Sequence, residues 1–138
     1  MKSSLALSSL CLFFFSVACS SPKGPSDLLI QANEIHLEAS KKYDQVHDRY
    51  DVLKKDAVER QDSLAIARLD SVHEVLHIWK EGLYEVPGFE HAHSHGDGAH
   101  DHNHTVAPSM TDQSMLDYQK NAKEAIDEIM EFLERNFN

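Results

Sequence analysis

Ser63-Leu-Ala-Ile-Ala-Arg-Leu-Asp-Ser-Val-His-Glu-Val-Leu-His-Ile-Trp-Lys-Glu-Gly-Leu83 is the stretch that decides the fold. Ala65, Leu69, Val72, Leu76, Trp79 and Leu83 recur in it at alternating steps of four and three. That spacing draws one apolar line along a helix and is the seam pattern of packed antiparallel helices. Asp62 or Ser63 is placed to cap this helix, and Pro87-Gly88 to stop the chain from continuing it, so it should end near Tyr84.

A seam needs partners, and the flanking sequence supplies two. Upstream, Ala32, Ile35, Ala39, Tyr43, Val46, Tyr50, Leu53 and Ala57 form a stripe with the charged residues largely off it, which predicts a helix over about 27–58. Ser26 or Asp27 would cap it. Glu59 to Ser63 is the predicted turn, although neither Gly nor Pro marks it. Downstream, Ser109-Met-Thr-Asp112 has the Ser-x-x-Asp form of a helix start. Met115, Tyr118, Ala122, Ala125, Ile126, Ile129, Leu133 and Phe137 then line one side of a helix reaching about Asn136. The expected fold is all-α, an up-down-up three-helix bundle with a long loop, residues 85–110, between helices 2 and 3. Folding should need no cofactor. A connection of that length in so small a bundle is more often functional or disordered than structural.

The loop holds the most unusual composition in the chain. Six of the ten histidines fall in residues 91–104, as two H-x-H-x-H arms, His91/His93/His95 and His100/His102/His104, joined by Gly96-Asp97-Gly98. Neutral imidazole binds zinc, copper and nickel through a ring nitrogen. In an extended arm, residues two apart point to the same side, so each arm would present three imidazoles on one face. The glycines would let the arms fold back, and two nitrogens from each would complete a tetrahedral set. The composition resembles the His-rich loops of zinc-uptake binding proteins and metal transporters, which implies capture or buffering of metal. The plain alternative is a polar low-complexity spacer that binds metal as any histidine tract does.

The first residues read as an address. Lys2 precedes an apolar and small-residue run, Leu5 to Ala18, too short for the ~20 residues needed to span a bilayer but right for a signal peptide. Ser16-Val17-Ala18-Cys19 resembles the lipobox of bacterial lipoproteins. That likeness implies cleavage before Cys19 and lipid on its thiol and new amino group. An ordinary cleaved signal would instead leave a secreted chain with one odd cysteine. Ser20 after Cys19 resembles the outer-membrane sorting pattern of enteric bacteria, which implies an envelope protein facing the periplasm. The expected organisation is a signal over 1–18, a lipidated Cys19 and tether over 19–26, and the bundle over 27–138.

With Cys11 removed and Cys19 lipidated, neither cysteine of the chain is left for a disulfide, a zinc ribbon or a thiol nucleophile. The formal charge is −10, and losing Lys2 with the signal makes it more negative. Such a surface repels phosphate backbones, so no nucleic-acid partner is expected. It also lacks a basic patch for anionic lipid, which leaves the acyl group as the membrane anchor. No phosphate-binding loop or Gly-rich dinucleotide turn occurs.

The lipobox-like Ser16 to Cys19, the long acidic first helix, the segment Leu69 to Trp79 and the Lys/Glu-rich last helix together resemble a loosely defined group of small helical lipoproteins of Gram-negative bacteria. Some of these carry the label "viral A-type inclusion protein". The resemblance implies a helical bundle and no particular activity.

Two further histidine patterns invite chemistry. His73-Glu74-Val75-Leu76-His77 matches H-E-x-x-H, the zinc-peptidase signature in which two histidines share a helix face and the glutamate activates the zinc water. The stripe places Leu76 in the core, with His73 at its edge and His77 further out. No Gly or third His follows where the metzincin extension needs them, so we read the match as fortuitous. His73 and His77 are retained only as secondary metal ligands. His36 and His47 fall on one flank about 16 Å apart by helical rise, too far for one metal, and read as boundary histidines. Tyr43, Tyr50, Tyr118 and Trp79 read as core. The expectation is a non-enzymatic, lipid-anchored envelope protein that holds zinc, or copper or nickel, through His91–His104. The alternative is a helical scaffold whose loop is a dispensable spacer and whose protein partner the sequence does not name.

Overall fold

The computed structural model describes residues 24–89 and 107–137. They form three helices: α1 (Asp27–Glu59), α2 (Ser63–Gly82) and α3 (Asp112–Asn136). Among the described residues there is no strand, and no helix is long and apolar enough to cross a membrane. The signal segment, Cys19 and residues 90–106 lie outside the described residues.

Each helix begins on a side-chain cap. Ser26 accepts from the Leu29 N–H, Asp62 from the Ala65 N–H and Thr111 from the Ser114 N–H, which satisfies one of the four orphan donors at each start. The third cap corrects the Ser109 reading. Thr111 is extended (φ −74°, ψ 158°), the same shape as the Ser26 cap (φ −69°, ψ 162°), so α3 starts at Asp112. Asp112 is then free of a capping-box role and instead accepts a 2.5 Å hydrogen bond from Ser26 Oγ. This contact ties the start of α3 to the start of α1. α2 ends at Gly82, slightly before the expected Tyr84, because Leu83 turns to extended backbone.

The α1–α2 turn shows how a chain stops a helix without Gly or Pro. The Asp62 N–H reaches the Ala57 carbonyl and the Gln61 N–H the Val58 carbonyl, both at 3.0 Å. These are the two bonds of a Schellman motif. The motif needs a left-handed residue, and Gln61 takes it with φ +56°. A Cβ is disfavoured there. Gln61→Gly is therefore expected to stabilise the protein by about 0.5–1 kcal/mol, read as a higher urea midpoint at unchanged slope.

Contacts fix the direction of each helix. Lys54 pairs with Asp70 near the turn and Tyr43 stacks on Trp79 further away, so α2 runs antiparallel to α1. His36 meets Gln119 and Lys42 meets Asp127, so α3 runs parallel to α1. The main apolar cluster joins Val46 and Leu53 of α1, Leu69 and Leu76 of α2, and Ile126 and Leu133 of α3. A second cluster closes the end where α1 and α3 begin, from Ala32, Val86, Met115 and Leu116.

Candidate functional site

The end of the bundle that carries the second cluster is where the chain leaves for residues 90–106 and returns from them. Val86 is buried against Ala32, Met115 and Leu116, with Phe89, Ala107 and Met110 packed around them. Val86-Pro87-Gly88-Phe89 has the form of a type II turn. The Phe89 N–H donates to the Val86 carbonyl at 3.3 Å, proline sits where φ near −65° is required, and Gly88 has φ +86°. Gly88 also approaches the tether: a Cβ on it would stand 3.7 Å from Pro25 Cγ. Both roots of the histidine segment and the chain entering α1 thus share one pole of the molecule. His91, His93, His95, His100, His102, His104 and Cys19 themselves lie outside the described residues.

This pole is braced by a buried polar network that the apolar periodicity passed over. Gln119 of α3 is fully buried. Its Nε2 donates to the Tyr84 carbonyl at 2.7 Å and approaches Met115 Sδ at 3.5 Å, while its Oε1 lies 3.3 Å from His36 Nδ1. Burying an amide is unfavourable unless its hydrogen bonds are made, and here partners on α1 and on the segment after α2 make them. Tyr118 reinforces the joint by donating its hydroxyl to the Gly82 carbonyl, and burial raises its pKa, so the donor stays protonated. Trp79 Nε1 donates to the Ala122 carbonyl at 2.8 Å. The signal for Gln119 was present: it fills the step between Met115 and Ala122 in the α3 stripe.

The H-E-x-x-H residues lie on the exposed side of α2. His73 packs its ring on Tyr50 of α1, centroids 5.3 Å apart, and His77 Nδ1 lies 3.5 Å from Glu81. Leu76 between them is 1 % exposed, in the core position the bundle requires. Among the described residues no group of three or more His, Cys, Asp or Glu is placed to hold a metal ion. His73 and His77 belong to no such group. His36 is buried and bonded to Gln119. His47 is half-exposed, 3.4 Å from Asp51 through Nδ1, and its ring borders Tyr43 and Tyr50.

Two open grooves lie on the surface of the described residues. One, of about 410 Å³, lies along α3 beside Ile35 and is lined by Lys123, Asp127 and neighbouring charges. Lys123 and, from α1, Lys42 hold the Asp127 carboxyl below the usual carboxylate range, chiefly through the 2.8 Å Lys123 hydrogen bond. The other, of about 300 Å³, runs between α1 and α2 past Tyr43, Asp44, His47, Asp48 and Lys80. Lys80 sits over the Tyr43 ring at 5.2 Å, and Tyr43 stacks on Trp79 at 5.5 Å. These tyrosines act as packing surfaces, and burial raises the pKa of both Tyr43 and Tyr50. Comparison with protein-family models, with curated proteins and with solved structures gives no match for this chain.

Proposed function

We infer that this is a non-enzymatic, lipid-anchored protein of the bacterial cell envelope that captures or buffers transition metal through His91, His93, His95, His100, His102 and His104. Zinc is the first choice, then copper or nickel, since imidazole suits all three. The observation that carries the reading is the pair of H-x-H-x-H arms about Gly96-Asp97-Gly98. Two facts support it. The net charge of −10 draws cations toward the chain. The two roots of the segment are held in one apolar cluster, which shortens the span its arms must close. His73 and His77 are secondary ligands in this reading. The lipid is carried by Cys19, in an outer membrane facing the periplasm. Cys19 lies six residues before Pro25, and a Cβ on Gly88 would stand 3.7 Å from Pro25 Cγ.

The test is calorimetric titration of zinc, copper and nickel into residues 20–138, which hold all three helices and every contact described above. Stoichiometric zinc binding at neutral pH is expected, lost when the six segment histidines become Ser. Affinity should fall below about pH 6, because each imidazole must shed its proton to bind. Equal, weak binding of all three metals, or binding that survives the substitutions, would sink the reading.

A second reading, a helical scaffold with a dispensable spacer, is favoured by the apolar residues left exposed on α2. Deleting 91–104 separates the two. Loss of metal tolerance supports capture, and an unchanged phenotype supports the scaffold.

A further inference from the structure

We draw no further inference here: the strongest candidate, the outward apolar face of α2 formed by Leu64, Val75 and Ile78, carries nothing because nothing in the structure shows what covers it.

Discussion

Gln119→Ala lowers the stability of the bundle by about 2–4 kcal/mol, in urea unfolding followed by circular dichroism. Two losses add. Removing a fully buried side chain leaves a void between α3, α1 and the segment after α2. The Tyr84 carbonyl also loses its 2.7 Å donor, and His36 loses one of its contacts. Gln119→Leu separates these effects, since it restores most of the volume and none of the hydrogen bonds. A loss confined to Ala would mean that packing alone matters. A similar loss in both would mean that the amide bonds hold the joint. Replacing His36 and Gln119 together by Leu should then cost less than the sum of the single changes, because removing both members of a buried polar pair is cheaper than stranding one.

Leu76→Ala is the second large effect, at about 3 kcal/mol, the usual range for truncating a buried leucine. Its neighbours provide the contrast. His77→Ala and Ile78→Ala fall on exposed positions of the same turn and should change stability by less than about 0.5 kcal/mol. The comparison bears on the meaning of His73-Glu74-Val75-Leu76-His77. If the stretch is a bundle helix, its sensitivity follows burial and peaks at Leu76. A stretch built around a metal would instead lose most at the histidines.

The helices were legible because their apolar stripes are long and regular. Ala32, Ala39, Val46, Tyr50, Leu53 and Ala57 of α1 are buried as the spacing required, and so are Leu69, Val72 and Leu76 of α2. What escaped the sequence was set between elements. Gln119 is buried because His36 and the Tyr84 carbonyl satisfy it, and a pattern along one helix cannot show partners on two others. Val86 lies in the stretch read as loop, yet it is 1 % exposed, since the type II turn after it folds the chain back over Ala32 and Met115. The start of α3 was placed at Ser109 from the Ser-x-x-Asp pattern; the cap is Thr111, whose hydroxyl accepts from the Ser114 N–H, and Asp112 instead meets Ser26 across the bundle. The H-E-x-x-H stretch was read as core-forming at Leu76, and its burial agrees.

The parallel course of α1 and α3 has a mechanical consequence. α1 starts at one pole of the molecule and α3 finishes at the other, so tension drawn between Gly24 and Phe137 pulls these helices lengthwise past each other. Ser26–Asp112, His36–Gln119 and Lys42–Asp127 are rungs along that seam, and a sliding load strains them together. Antiparallel terminal helices would open from one end, a rung at a time. A chain fixed before α1 and tugged beyond α3 would therefore yield in one concerted event, with its rate of rupture set by the whole seam.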